Sequence, residues 1–173
     1  TPILRKTKFT PDAKMRQQVS SLLHPVPLEE KKANVVGNLE PFYETCEILS
    51  MLRQGGWHLR DINDCGDYEE YQKMAASSVN IVTQAGTLSA GEALERRLKQ
   101  KLLYLPVSYR YEEIDAELKL AAETMGLPLP DLQDLKERAG QALAHTAKAL
   151  AGMPVASSAF LSRSSIWSSS SRN

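Results

Sequence analysis

Between Ala33 and Leu105 the chain four times sets a short apolar run ahead of a polar or glycine-bearing loop and an amphipathic helical stretch. The runs are Ala33-Asn34-Val35-Val36-Gly37, Trp57-His58-Leu59-Arg60-Asp61, Val79-Asn80-Ile81-Val82-Thr83 and Leu102-Leu103-Tyr104-Leu105. Such short runs, spaced by roughly twenty residues, leave room for helical crossovers rather than hairpins and so predict parallel strands. Trp57 and Leu59 alternate with His58 and Arg60, the pattern of an edge strand half open to water. The first and third runs are apolar on both faces and belong at the centre. Right-handed crossovers then favour the strand order 2-1-3-4. The expected fold is α/β: a three-layer sandwich on a four-stranded parallel sheet, with an extra C-terminal helix.

Local signals place the helices. Thr10-Pro11-Asp12 supplies a cap, a first-turn proline and an acid, which predicts a helix to about Leu23. Its apolar residues are few, so loose docking is expected. Pro41 predicts the start of a helix carrying Phe42, Cys46, Leu49 and Leu52 on one face, closed by Gly55-Gly56. Asp67 caps a short helix bearing Tyr68, Tyr71 and Met74, and Thr87 or Ser89 starts the next, with Leu94 and Leu98 inward. Tyr111, Ile114, Leu118, Ala121 and Met125 mark a further helix ended by Gly126, and an alanine-rich one follows from Asp131 to Ala151. The expected organisation is an N-terminal helix and linker over 1–30, an α/β domain over 31–152, and a serine-rich tail over 153–173, disordered or the start of a truncated next domain.

The 21 basic and 21 acidic residues cancel, leaving no net field for nucleic acid or an anionic membrane. The charges are interspersed, as in Glu29-Glu30 beside Lys31-Lys32, and read as solvated helix faces. Cys46 and Cys65 are the only cysteines, with no leader-like segment and no apolar run of membrane length, which points to the cytoplasm with both thiols reduced. Thr1 in place of a methionine suggests a fragment.

In an open parallel sheet ligands sit beyond the carboxyl ends of the strands, where the order reverses. The loops there are Asn38-Leu39-Glu40, Ile62-Asn63-Asp64-Cys65-Gly66, Gln84-Ala85-Gly86 and Val107-Ser108-Tyr109. They make Asn38, Glu40, Asp64, Cys65, Gln84, Gly86, Ser108 and Tyr109 the candidate cofactor-binding residues. Cys65 could be a thiolate ligand or reactive thiol, but Asp64 and Asp67 beside it favour an inert loop cysteine. Cys46 reads as packing. Two separated cysteines with His24, His58 and His145 scattered cannot close a metal shell unaided, so no metal site is assigned. Gly37-Asn38 lacks the rest of a dinucleotide or phosphate loop, and no G-x-S-x-G is present. Glu40, Glu44 and Glu47 complement a helix start. Tyr104, Tyr109 and Tyr111 flank the fourth strand's end, lining a pocket or packing at its rim. No catalytic residue emerges from these patterns.

The stretch Tyr71-Gln72-Lys73-Met74-Ala75-Ala76-Ser77-Ser78-Val79-Asn80-Ile81-Val82, the helix Ala90 to Leu98, and Lys101-Leu102-Leu103-Tyr104-Leu105-Pro106-Val107-Ser108-Tyr109 resemble the middle domain of nitrogenase component 1 type oxidoreductases. Ala33 to Asn38 and Cys46-Glu47-Ile48-Leu49 to Gly56-Trp57 are similar to that domain's opening strand and helix. The resemblance covers about Lys31 to Met125, or on to Pro154. It implies a nitrogenase-domain-like (chelatase-like) sheet in one domain of a three-domain subunit. It also implies pairing with a homologous subunit and electrons from an ATP-dependent iron-sulfur reductase. An iron-sulfur cluster or related metallocluster is implied for the intact protein and none for this fragment, which alone is expected to be inactive. The family includes nitrogenases, their cofactor-assembly scaffolds and tetrapyrrole reductases. Gln84 aligns with the cysteine that ligates the active-site cofactor in the molybdenum-iron protein's alpha chain, and an amide is a poor substitute for a thiolate. The implied role is part of a substrate or cofactor cavity wall, with the substrate open. A non-catalytic scaffold for a metallocluster or tetrapyrrole, and a stand-alone small-molecule binding module, are the alternatives.

Overall fold

The computed structural model describes residues 10–37 and 42–151. Those up to Asp131 belong to one compact unit and those from Leu132 onward to a second. The first unit contains α1 (Pro11–Ser21), β1 (Glu29–Val35), α2 (Glu47–Gln54), β2 (His58–Asp61), α3 (Tyr68–Lys73), β3 (Ser77–Val82), α4 (Leu88–Leu98), β4 (Lys101–Tyr104) and α5 (Tyr111–Met125). In the second unit α6 (Gln133–Leu150) follows Leu132, whose carbonyl accepts from Lys136 N–H at 2.9 Å. No helix among the described residues is long and apolar enough to cross a membrane.

The four strands form one wholly parallel sheet in the order β2-β1-β3-β4, as the run pattern predicts. The crossover from β1 to β2 runs toward one edge and the next two run toward the other. Right-handed connections therefore put α2 on one face and α3 and α4 on the opposite face. α5 packs on α2, and α1 packs on α4, completing the layers. Leu23, Val36, Tyr71, Met74, Val82 and Leu94 fill the α1 side, each buried. Burying one such side chain stabilises by roughly 1.5–3 kcal/mol. Gly91 lets α4 approach closely, since a Cβ there would stand 2.7 Å from Leu102 Cδ1 and 2.8 Å from Val82 Cγ2.

Several details depart from expectation. β1 starts at Glu29, so Glu29 to Lys32 are strand rather than helix face, paired to β2 and β3 through an irregularity at which Lys31 takes φ 54°. The charges fit because this half of the strand is mostly exposed. The helix expected from Pro41 begins only at Glu47: Cys46 N–H turns back to the Tyr43 carbonyl at 2.9 Å, leaving Cys46 extended as the N-cap and half-buried. Ile48, Met51 and Leu52 form its buried face instead. Arg60, expected on the wet side of the edge strand, is folded in. It pairs with Glu29 at 3.1 Å and donates to the Lys73 carbonyl at 2.6 Å and Ser77 Oγ at 3.3 Å. The first and third strands are not apolar on both faces either, because each places a fully buried asparagine, Asn34 and Asn80, on the α1 side.

α1 is held firmly, by means its composition does not advertise. Thr10 Oγ1 accepts from Ala13 N–H at its start. At its end, where helix carbonyls lack partners, α3 and α4 supply donors. Tyr71 Oη donates to the Val19 carbonyl at 2.7 Å, and Arg97 donates to the carbonyls of Ser20 (3.2 Å), Ser21 (3.1 Å) and Leu23 (2.9 Å). Gln72 Nε2 and Tyr68 Oη both donate to the Leu22 carbonyl, at 2.8 and 3.2 Å. Burial pushes the Tyr71 hydroxyl up to about 12, so it remains a donor through the whole neutral range. Replacing Arg97 by methionine, which keeps the apolar stem, is expected to raise amide hydrogen exchange over Val19 to Leu23 about tenfold, the scale of one charged hydrogen bond, while β3 stays protected. Unchanged exchange there would mean that α1 docks through its apolar residues alone.

Candidate functional site

β1 and β3 are neighbours whose following connections run in opposite directions, so the sheet's switch point lies between them. α1 occupies that position. Arg16 Nε pairs with Asp12 at 2.9 Å, and its guanidinium donates to the Gly37 carbonyl just past β1. Gly37 has φ 76°, and a Cβ there would run into Thr87 Cγ2, so only glycine suits the position. Thr87 is itself buried, with Oγ1 donating to the Gln84 carbonyl at 2.8 Å. Arg16 and Thr87 thus meet over the end of β1, and Gly86 lies open beside Asp12.

The candidate residues distribute unevenly around this edge. Asn38 and Glu40 lie outside the described residues. Asp64 ends the short 3-10 turn after β2 and is exposed. Cys65, half-buried, donates to the Asp61 carbonyl at 3.4 Å. Burial and the surrounding Glu70, Asp64, Asp61 and Asp67 push its thiol up, which favours the inert reading. Burial likewise raises the Cys46 thiol. Gln84 and Gly86 are exposed after β3, and Tyr109 is 95% exposed after β4. Ser108 Oγ bonds the Glu113 carboxylate and accepts from Arg110 N–H at 3.1 Å, a local turn at the start of α5.

Two clefts flank the end of β2 and share Asp61 and Asp64. One, about 250 Å³, takes in Cys65, Arg60 and Lys73; the other, about 340 Å³, takes in Phe42, Arg53 and Trp57. Neither includes Gln84, Gly86, Ser108 or Tyr109. Asp61 is the residue that reasoning from the sequence missed. It is 6% exposed, and its Oδ1 accepts from both the backbone N–H (2.9 Å) and Nδ2 (2.8 Å) of Asn63. Burial raises its carboxyl and Asp64 adds to this, against the lowering effect of the Asn63 bonds. A desolvated carboxyl shared by two clefts can hold and return a proton. Its signal was an acid at the end of a strand run, two residues before an asparagine.

A third cavity, about 230 Å³, lies under α1 against the sheet, bordered by Val19, Leu23, Asn34, Val36, Met74 and Leu94 among others. Asn34, on its wall, is the first member of a buried amide chain. Asn34 Nδ2 donates to the Met74 carbonyl and to Asn80 Oδ1, each at 2.8 Å. Asn80 Nδ2 donates to Gln100 Oε1 at 3.0 Å, and Gln100 Nε2 donates to the carbonyls of Met74 (2.8 Å) and Ala75 (3.1 Å).

Asp61 gives a pH test with a definite sign. A carboxyl whose folded value is raised binds its proton more tightly folded than unfolded, so its favourable contribution is present below the unfolded value of about 3.9 and is lost as pH rises through the folded value. Asp61→Asn keeps the acceptor that Asn63 uses and removes the buried charge. It is expected to raise the midpoint of thermal unfolding at pH 7 and to leave it unchanged near pH 3. A lower midpoint at pH 7 would show that the carboxylate is stabilising where it sits.

Among known proteins, no family model and no curated sequence matches this chain.

Proposed function

We propose that the chain is a middle α/β domain of a nitrogenase-like component 1 oxidoreductase subunit and supplies part of the wall around a substrate or metallocluster. The observation that carries this reading is the carboxyl edge of the sheet beyond β3 and β4. Gln84 and Gly86 lie open there, and Val107 and Tyr109, 73% and 95% exposed, present large apolar surface to solvent. Apolar side chains raised at the ligand-facing edge of a parallel sheet suit burial by a further domain. The resemblance across Tyr71 to Val82 and Lys101 to Tyr109 leads to these same loops.

On this reading the domain shapes and does not ligate. Gln84 offers an amide where a cluster would need a thiolate, and burial, with the acidic residues around it, pushes the Cys65 thiol up and away from the thiolate a cluster needs. Cluster ligands come from other domains of the same subunit or from a homologous subunit, and electrons from an ATP-dependent iron-sulfur reductase in the cytoplasm. The role of Gln84 and Tyr109 is contact with the bound group, polar from one and apolar from the other.

The test uses the intact gene product, purified anaerobically with its reductase. Iron and sulfide are expected in the protein. Gln84→Leu and Tyr109→Ala are each expected to lower reductase-dependent turnover about tenfold, the scale of a misplaced substrate, without changing the unfolding temperature. A cluster-bearing protein that turns nothing over would replace the enzyme by an assembly scaffold. A protein free of iron would end the oxidoreductase reading altogether.

A further inference from the structure

The direction of every bond in the amide chain under α1 is determined by its ends. Backbone carbonyls only accept, so the atoms of Asn34 and Gln100 that face Met74 and Ala75 must be their NH2 groups. Gln100 therefore turns its oxygen to Asn80, Asn80 answers with its nitrogen, and the Asn80 oxygen takes the second hydrogen of Asn34. One acceptor is left over. Asn34 Oδ1 has no partner although Asn34 is 0% exposed. Turning the amide over would set oxygen against two acceptors, so the vacancy cannot be removed by rotation.

Asn34 borders the 230 Å³ cavity, and the hydrogens of the other polar side chains on its wall already have acceptors, with Asn63 Nδ2 donating to Asp61 Oδ1. Tyr71 Oη is bound to the Val19 carbonyl, Ser20 Oγ to the Gln17 carbonyl at 2.8 Å, and Arg16 to Asp12 and Gly37. The rest of the nearby wall is Val19, Leu23, Val36, Met74 and Leu94. A water admitted as far as Oδ1 would gain that one bond and otherwise meet a mainly apolar wall, whereas buried waters hold two to four partners. An organic donor would gain the same bond and bury apolar surface as well. The space suits a single ring, given that a cavity of about 150 Å³ lined by aliphatic side chains takes up benzene.

We infer that the cavity under α1 is a binding site for a small, mostly apolar molecule with one hydrogen-bond donor, such as a phenol or a compact alcohol. Its donor bonds Asn34 Oδ1, and its body lies among Val19, Leu23, Val36 and Leu94. Because Asn34 is 0% exposed, the donor reaches Oδ1 only as the wall yields, and Met74, an adaptable side chain on that wall, is the residue suited to move. This site lies on the covered face of the sheet, reaches the carboxyl edge only at Gly37, Ile62 and Asn63, apart from the loops after β3 and β4, and stands whether or not the oxidoreductase reading does.

Phenol and toluene nearly match in shape and differ in the donor, so they separate this site from a plain apolar void. Each is titrated into the protein and followed by amide NMR. A void without an acceptor prefers toluene on the order of tenfold, because the hydroxyl gives up water for nothing. Here phenol is expected to bind at least as tightly as toluene and to shift the side-chain amide signals of Asn34. Val19→Phe, which fills the cavity from α1 and leaves the amide chain intact, is expected to abolish the phenol shifts. A clear preference for toluene with Asn34 unmoved, phenol shifts that survive Val19→Phe, or no response to either compound at millimolar concentration would each overturn the inference. The comparison of phenol with toluene decides the matter even if that variant does not fold.

Discussion

Three buried amides, Asn34, Asn80 and Gln100, hold the sheet and the turn that feeds it in one arrangement. The chain leaves α3 through a 3-10 turn at Met74–Ala76 and enters β3 at once, so the turn's carbonyls are enclosed against the sheet with no strand beside them. A buried polar group left unpaired costs about 1–3 kcal/mol. Asn34 and Asn80 stand opposite each other in the β1–β3 register, and Gln100 reaches in from just before β4. Three strands and one turn are thereby set against each other by groups that must all be in register. A slip of one residue between β1 and β3 would move one asparagine to the far face and leave its partners unbonded. Apolar packing alone would tolerate more alternatives.

The same preference for polar fixation governs α1. Its buried residues are few, yet side chains from α3 and α4 close its C-terminus, while Arg16 ties its first half to the end of β1. An element that looks peripheral becomes a wall of the core and the roof of a cavity. It also occupies the switch point of the sheet, where a ligand would ordinarily enter. The exposed edge is consequently divided: the β1–β3 side is covered by the chain itself, and the loops after β3 and β4 remain open.

How much of this was legible in the sequence varies with the range of the interaction. Strand order was legible because it depends on periodicity and on where charge falls, and His58 marks an edge with no knowledge of its neighbours. Helix caps such as Thr10 and Asp67 were legible because a cap bonds within its own turn. The amide chain was not, because an asparagine inside Val-Asn-Ile-Val looks like a minor interruption until the register sets it opposite Asn34. Arg60 and Arg97 were hidden for the same reason, since each bonds carbonyls that sequence distance separates from it. Of the candidate site residues, the loop positions followed from topology. Which of them share a cleft depended on α1 and on Asp61, and neither announces itself by composition.

The central claim is that the amide chain requires a donor at Gln100, and Gln100→Glu tests it with almost no change of shape. A carboxylate there would face the Met74 and Ala75 carbonyls without a hydrogen to offer, whereas the protonated acid restores one donor. The buried acid's folded value would then be raised above the ordinary value of about 4.3. Its stabilising contribution is therefore expected below that value and lost as pH rises through the folded one. Unfolding free energy, measured by denaturant against the unaltered protein, is expected to fall short by about 3 kcal/mol or more at pH 7 and to approach it near pH 4. Equal stability of the two proteins at pH 7, with no dependence of the difference on pH, would contradict the account.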